Sequence, residues 1–426
     1  MLRLSRELQL PAAGLSGFEP PLTDDERALQ EAAHRFAKDV LRPAGRELDR
    51  MTAADAIAPG SPYWAVFAEA AKLGIDAQFF AQFEPDQAAR LESLITEEMG
   101  WGDAGLATSL AAASFPLLMA HAAGNAELIE LCQGRIGCWL ITQPDRGSDV
   151  QILYGEDWPA GIPGNKGNVT ARVTDAEIIL NGQCSAWVSN GAVAQVALCY
   201  VAADYGRGFV RDDGLARGLS VVAPLDVKGV SHGKPLDKIG QRALPQGEIY
   251  FDDVRLPRRF GIAFEDEYYG NLGAAWTYAG THMCNAFVGT ARAAFEHALA
   301  YAHERRQGGL PIIQHQLTRY RLGDMARRIE MIRSVARRAT LYATVSPRIH
   351  PYVTAQAKVS VTEEAMKVTH EALQLFGGNG TSREYPLEKL FRDVRASMIE
   401  DGENYMLTMR FGSLLSRLYQ DGWANG

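Results

Sequence analysis

Cysteine is scarce in this sequence, and what there is lies scattered. Cys132, Cys138, Cys184, Cys199 and Cys284 are the five in 426 residues. None pairs as C-x-x-C, so a zinc knuckle or a redox dithiol has no ligands at the spacing it needs. An odd, dispersed set suits a reducing compartment, and a cytoplasmic location is expected. The nine histidines are also dispersed and no H-E-x-x-H occurs, so no metal cluster is expected. No G-x-G-x-x-G follows a strand pattern and no G-x-x-x-x-G-K-[ST] is present, so neither a Rossmann nor a P-loop nucleotide site is supported. Basic residues are outnumbered, 43 Lys and Arg against 51 Asp and Glu, for a net charge of −8. The electrostatic footprint of a nucleic-acid binder is therefore missing. The local pair Arg327-Arg328 falls on an amphipathic pattern and reads as a solvated helix face. No run approaches 18 uninterrupted apolar residues, so no membrane span is expected. Met1 to Glu7 has basic residues but no continuous apolar core, a poor match to a secretion signal.

What the chain does have is ordinary core-forming material, 47% hydrophobic and 22% charged, with length for about three structural units. Residues 1–22 carry Pro11, Pro20 and Pro21 without a period and read as an extended arm. Thr23 with Glu26 fits a capping box, since hydroxyl and carboxylate can satisfy each other's orphan N–H groups. Leu29, Ala33, Phe36, Val40 and Leu41 follow at helical spacing, and residues 62–131 continue helical with breaks at Gly74, Gly100 and Gly124. The tract from Leu106 to Ala113 reads as buried helix. From Gly137 the texture changes to β-branched residues and turns. Val169, Ala171 and Val173, then Thr174-Asp175, then Ile178 and Leu180 predict a hairpin. Val193 to Val201, Leu219 to Val222 and Glu248 to Phe251 predict further strands. After Pro257 the period returns to 3.6, with three long stripes: Val288 to Ala302, Leu322 to Ala336 and Val361 to Phe376. The expected fold class is α+β: an N-terminal arm and helical domain over 1–137, a β-domain over 138–262, and a C-terminal helical bundle over 263–426.

Four local segments invite a chemical reading. Thr142-Gln143-Pro144-Asp145-Arg146-Gly147-Ser148-Asp149 is a Pro/Gly turn after a strand that can offer N–H groups and hydroxyls to a polar ligand. Ala186-Trp187-Val188-Ser189-Asn190-Gly191 is either a strand with a buried Trp and an Asn-Gly turn or a wall of a site. Arg305-Arg306-Gln307-Gly308-Gly309 with His315-Gln316 is a basic helix end. Gln374-Leu375-Phe376-Gly377-Gly378-Asn379-Gly380 places three glycines after a helix, where the backbone can approach a ligand closely.

Taken together, in this order and on this helix–sheet–helix layout, the segments resemble the acyl-CoA dehydrogenase family from about Leu22 to Arg410. The family's T-E-P-x-x-G-S-D is matched by Thr142 to Asp149, with Gln143 for the usual Glu. Its W-I-T-N-G is matched by Trp187 to Gly191, and its Q-x-x-G-G-x-G…E-Y-P-x-E-x-x-x-R-D by Gln374 to Asp393. The resemblance implies FAD as cofactor, held by Thr142, Gly147 and Ser148, with Trp187 along the flavin edge and Ser189 near N5. It implies that Arg305, Gln307, Gln316, Gln374 and Gly378 reach the FAD of a neighbouring subunit. A homotetramer, a dimer of dimers, is therefore expected. Gly308 replaces the family's Phe, which alters the adenine-side contact. The implied partners are an acyl-CoA thioester and an electron-transferring flavoprotein, with no nucleic acid and no membrane.

The family's Y-E-G-T base segment aligns with Glu400-Asp401-Gly402-Glu403, counted from Arg392-Asp393. Asp401 then holds the base position, one methylene shorter than the usual Glu. Three carboxylates in four residues also fit a solvated loop. Ala279 and Gly280 occupy the alternative base position on the long helix, and neither can take a proton. The implied chemistry is removal of the α-proton by Asp401 and hydride transfer to flavin N5, with Ser148 and Gly402 beside the substrate. An Asp base also occurs in relatives acting on alicyclic thioesters and in nitroalkane oxidases. The latter carry an Arg seven residues on, where this chain has Thr408, so an oxidase of that kind is the alternative. The stretch Gln151 to Asn168, longer than the family norm, contains Tyr154 and Trp158. It reads as a surface loop or as a lid over a broad or cyclic acyl group.

Overall fold

The computed structural model describes residues 19, 21–75, 77–148, 166–212, 214–346 and 350–422. The extended arm, and most of the 151–168 stretch with Tyr154 and Trp158, lie outside the described residues.

Helix α1 (Asp24–Phe36) starts where the sequence places it. Thr23 Oγ1 accepts from the Glu26 N–H at 3.2 Å while a Glu26 carboxylate oxygen accepts from the Thr23 N–H at 2.8 Å. After shorter helices come α2 (Pro85–Gly102) and α3 (Ala104–Ala122), the latter capped by Asp103. Among the described residues α3 is the one helix long and apolar enough to cross a membrane, and over half of its apolar window is buried inside the protein. The predicted hairpin is present as β2 (Thr170–Val173) and β3 (Glu177–Gln183), paired antiparallel with Ala171 opposite Leu180. They belong to an eight-stranded sheet with β1 (Gly137–Leu140), β4 (Val196–Asp204), β5 (Gly218–Pro224), β6 (Val230–His232), β7 (Ile249–Pro257) and β8 (Gly261–Phe264). The path runs β6-β7-β3-β2-β4-β5-β8, and β1 lies parallel to β4.

Strand period decides what each face of this sheet meets. Cys138, Leu140, Ala197, Cys199 and Val201 face one apolar cluster made by the strands and their connecting loops alone. Trp139, Ile141, Val196, Leu198 and Tyr200 face the other, against Phe115 and Met119 of α3 and Leu272 and Trp276 of the long helix α4 (Tyr268–Glu304). With both faces covered, β4 reads as a continuous apolar run, as parallel and central strands do.

The three sequence stripes are the buried faces of α4, α5 (Gln316–Val345) and α6 (Pro351–Phe376), which pack with α1 and α2 around one helical core. Helices α2 and α4 cross at two glycines. A Cβ at Gly100 would lie 1.9 Å from the Ala286 carbonyl oxygen, and one at Gly289 would lie 1.9 Å from that of Glu97. No larger residue fits that crossing. Two shorter helices, α7 (Leu387–Ser397) and α8 (Asn404–Gln420), follow, joined by the turn that carries Asp401.

Candidate active site

The sheet, α3, the first half of α4 and the α7–α8 turn enclose a cavity of about 980 Å³. Its floor is the loop after β1. Thr142 Oγ1 lies 2.9 Å from Ser185 Oγ, and the Ser185 N–H donates to the Thr142 carbonyl at 3.0 Å. Gln143, which replaces the family's Glu, is buried and accepts from the Val169 N–H at 2.7 Å, pinning the loop to the start of β2. Gly147 and Ser148 line the cavity, and a Cβ at Gly147 would meet no atom within 4 Å, so its bare backbone faces open space.

The Trp187 segment forms the adjacent wall. A buried Trp was one expectation from the sequence, but Trp187 is 62% exposed at the cavity. What is buried is Asn190, at φ +62°, a conformation Asn tolerates better than most residues. Its side chain donates to the carbonyls of Ser109 and Gly137 and accepts from Ser109 Oγ at 2.7 Å. The Asn-Gly turn therefore locks the Trp187–Ser189 wall to α3 and β1.

Asp401 sits at φ +48°, with Gly402 at +99°. A non-glycine residue held there carries strain of roughly 1–3 kcal/mol, which the surroundings must enforce. They do. The Glu403 N–H donates to Ser148 Oγ at 3.0 Å, tying the turn to the β1 loop. Glu403 caps α8 by accepting from the Met406 N–H. Lys358 of α6 donates to the Gly402 carbonyl and to Asn404 Oδ1. Asp401 lines the large cavity and also a second void of about 20 Å³, with Trp276, Gly280, Pro351 and Lys358. Burial raises the Asp401 carboxyl above the usual Asp value, and the charge of Lys358 opposes that rise. The neighbouring Glu400 is pushed up to about 7 by burial, against Lys238 and a 2.7 Å hydrogen bond from Gln241 Nε2. Lys238 is itself lowered to about 8 by burial and donates to the Leu244 carbonyl and Gln246 Oε1.

Of the residues singled out from sequence, the structure brings Thr142, Gly147, Ser148, Trp187, Ser189, Asp401 and Gly402 to one cavity. Arg305, Gln307, Gln316, Gln374 and Gly378 are exposed and line no part of it in the single chain. The altered position Gly308 has a local reason. Gly308 (φ +59°) and Gly309 (φ +81°) form the two-residue turn between Arg306–Gln307 and Leu310–Pro311, a turn that needs two positive φ angles. Sequence reasoning missed Phe115, Trp139, Trp276 and His282 on the walls, and Lys238 to Gln241 near Glu400.

Residues 138–254 match the family model for the acyl-CoA dehydrogenase middle domain, and residues 277–413 match that for the C-terminal domain. Together they cover more than half of the chain. The chain belongs to the acyl-CoA dehydrogenase family. It is an oxidoreductase acting on acyl-CoA, and FAD is its cofactor. Benzylmalonyl-CoA dehydrogenase of Aromatoleum aromaticum is 28% identical over 402 residues, 91% of this chain and 97% of the relative. Cyclohex-1-ene-1-carbonyl-CoA dehydrogenase of Syntrophus aciditrophicus is 26% identical over 92% of this chain and 90% of its own. The solved butyryl-CoA dehydrogenase of Megasphaera elsdenii superposes with a TM-score of 0.78 at 25% identity, covering 93% of this chain and 99% of that one. A glutaryl-CoA dehydrogenase of Mycobacterium smegmatis solved with FADH2 gives 0.78 at 21% identity, covering 95% and 97%. The acyl-CoA dehydrogenase cavity here fits that cofactor: bare backbone at Gly147, a solvent-facing indole at Trp187 and hydroxyls at Thr142, Ser148 and Ser189 suit a flat, polar-edged ring.

Proposed function

We propose that this chain desaturates the Cα–Cβ bond of a bulky or cyclic acyl-CoA thioester, with Asp401 as the base. The observation that carries the reading is the placement of Asp401. Asp401 lines the cavity, on a turn bonded to the β1 loop through Ser148. The α-proton moves to the Asp401 carboxylate, the β-hydrogen leaves as hydride, and the remaining electron pair forms the C=C bond. Bound FAD supplies the two-electron acceptor for that hydride. A buried carboxylate with a raised pKa is a stronger base than one in water, and Lys358 keeps it ionisable.

The acyl end of the cavity is broad and aromatic. Phe115 and Trp139 stack at 4.9 Å and 6°, with Trp276 also on the wall. Ala279 and Ala111 leave width where larger side chains would narrow it. Such walls suit flat or cyclic groups and hold a thin chain loosely, and loose holding degrades alignment of proton and hydride. The names of the two curated relatives, one aromatic and one alicyclic, support the same substrate class.

Assembly into a homotetramer and electron transfer to an electron-transferring flavoprotein belong to this reading. Exposed Leu317, Tyr320, Met331, Leu341 and Val345 along α5 support burial of that helix against another subunit. The five cysteines, all buried and free, support a reducing, cytoplasmic setting.

Anaerobic mixing of the FAD-loaded protein with cyclohexanecarboxyl-, butyryl-, octanoyl- and palmitoyl-CoA tests the proposal. Flavin bleaching with the highest kcat/KM for the cyclic thioester is expected. A tenfold advantage for a linear one, about 1.4 kcal/mol in transition-state binding, overturns the bulky-substrate reading. Bleaching by nitroalkanes alone, with peroxide formed in air, overturns the dehydrogenase reading in favour of an oxidase.

A further inference from the structure

Asp401 is not the only carboxyl on the cavity wall. Glu400 lines it one residue earlier, and Lys238 lines it from the loop between β6 and β7. Neither takes part in the proton and hydride steps proposed above. Both are held by neutral partners. Glu400 accepts from Gln241 Nε2 at 2.7 Å. Lys238 Nζ donates to the Leu244 carbonyl at 2.8 Å and to Gln246 Oε1 at 2.7 Å. Gln246 Nε2 in turn donates to the Trp187 carbonyl at 2.9 Å, and Gln246 pairs with Ser189 in an isolated bridge. The cation is therefore two hydrogen bonds from the wall that the family resemblance sets along the flavin edge, and the carboxyl adjoins the proposed base. A hydride acceptor has to lie beside both, since Asp401 takes the proton from the carbon next to the one that loses the hydride. Lys238 and Glu400 border that space. The charges that act most on Glu400 are Lys238, Asp401 and Lys358; on Lys238 they are Glu400, Asp393 and Arg242, and Arg395 of α7 also lines the cavity. Burial moves the carboxyl up to about 7 and the ammonium down to about 8, and each draws the other back, so both change charge close to neutral pH.

We propose that Lys238 and Glu400 set the reduction potential of the bound FAD, and that Glu400 takes one proton from solvent as the cofactor is reduced. A two-electron reduction by hydride adds one negative charge to the cavity. The Lys238 ammonium favours that charge and the Glu400 carboxylate opposes it, and a poorly screened site makes both effects larger than in water. Protonating Glu400 removes the opposition, so reduction raises its proton affinity. One proton bound to the Glu400 carboxylate balances the one charge added, and no further group is oxidised or reduced. The inference rests on FAD occupying this cavity; it does not depend on which acyl group is taken.

Dye-equilibrated anaerobic titration of the FAD-loaded protein, from about pH 6 to about pH 9, tests this without any thioester. Native protein and Glu400→Gln share the cofactor's own proton uptake, so the difference between them belongs to Glu400. The two potentials should agree near about pH 6, where the native carboxyl is protonated before reduction. Above about pH 7 the native potential should fall more steeply, by an extra ~30 mV per pH unit, the slope of one added proton in a two-electron couple. The variant is then left with the higher potential at the alkaline end. Lys238→Met should lower the potential by ~30 mV or more, a tenfold change in the equilibrium constant. It should also move the steep region to higher pH, because the carboxyl loses a cation that holds it down. Lys238→Arg, which keeps the charge, should restore most of both effects. Flavin absorbance confirms the FAD content of each variant, and if Lys238→Met loses FAD the Glu400→Gln comparison decides alone. Parallel lines for native protein and Glu400→Gln overturn the inference, as does an unchanged potential in loaded Lys238→Met. If the steep region is present and is lost in Glu400→Gln while linear thioesters outrun cyclic ones, this inference stands and the bulky-substrate reading alone falls.

Discussion

Lys358 Nζ donates to the Gly402 carbonyl oxygen at 2.7 Å, which fastens a buried cation to the backbone one residue past Asp401. Burial drives the lysine down to about 8, and Asp401 is the first of the charges that hold it up. The two groups therefore stabilise each other's ionised forms inside a site that disfavours both. Lys358 does not line the large cavity; it positions the turn and sets the potential at Asp401.

Replacing Lys358 with Met should shift the pH dependence of the reaction. Asp401 already has a raised pKa, and loss of the neighbouring cation raises it further. In the proposed mechanism the reactive form is the carboxylate, so activity should be lost as pH falls through that pKa. The acid limb of kcat/KM should move to higher pH, with the loss greatest at the acid end of the profile and recovering as pH rises. Single-turnover flavin reduction across pH, with FAD content as a control, measures this. An unmoved limb would mean that Lys358 is only a structural tie.

Asp401→Asn is the cleanest test of the base, because Asn tolerates the left-handed conformation that position requires. Flavin reduction should fall by about 10²–10⁴-fold while FAD and thioester binding persist. Glu400→Gln and Glu403→Gln should stay within about tenfold of the native protein. Near-native reduction by Asp401→Asn, with Glu400 or Glu403 needed instead, would show that the register of the turn is misassigned.

The long helical stripes and the β-hairpin were legible because period reports burial directly: Ala298 and Ile329 are inside for the same reason they recur. The Thr142 loop, the Trp187 segment and Asp401 were legible through motif spacing. Trp139 and Phe115 were not. Period shows that Trp139 and Leu140 face opposite ways, but not that one face opens on a cavity while the other meets a closed core. The Gln241–Glu400 contact joins residues 159 apart in sequence, and no local pattern reports such a pairing. The sites expected on Arg305 and Gln374 depend on a neighbouring subunit, which a single chain does not supply.

Glu97 of α2 anchors the helical bundle. Its carboxylate accepts from Arg292 at 2.8 Å, Arg333 at 2.8 Å and Arg337 at 2.7 Å, and it is almost fully buried. Burial works against its charge, but the three guanidiniums outweigh that and hold its pKa far below the ordinary Glu value. Glu97→Gln removes the carboxylate that the three guanidiniums share, leaving them Glu98, Glu330 and Glu19, and should cost about 3 kcal/mol. A depressed folded-state pKa gives stability that is present above the unfolded value and is lost as pH falls. The gap between native and variant unfolding midpoints should therefore be full at pH 7 and shrink below about pH 4.5. Urea titrations at both pH values read the gap; one that widened in acid would contradict the assignment.

The proposed preference for rings over chains turns on Phe115. It is buried against Trp139 in a near-parallel stack, and Tyr278 meets its face edge-on at 5.1 Å. That support fixes a flat wall at the acyl end, so a ring lying on it buries its face without losing rotamer freedom. A linear chain gains less from a flat surface and loses more torsional entropy on being held there. Phe115→Leu keeps the apolar volume nearly filled while removing the plane, and so tests shape rather than hydrophobicity. The ratio of kcat/KM for cyclohexanecarboxyl-CoA over octanoyl-CoA should fall by about tenfold, or 1.4 kcal/mol of differential transition-state binding. FAD content should be unaffected, since Phe115 lies on α3 and not on the Thr142–Ser148 loop or the Trp187 wall that the family resemblance assigns to the cofactor. An unchanged ratio would place the selectivity elsewhere on the wall and remove the aromatic stack from the argument for a bulky substrate.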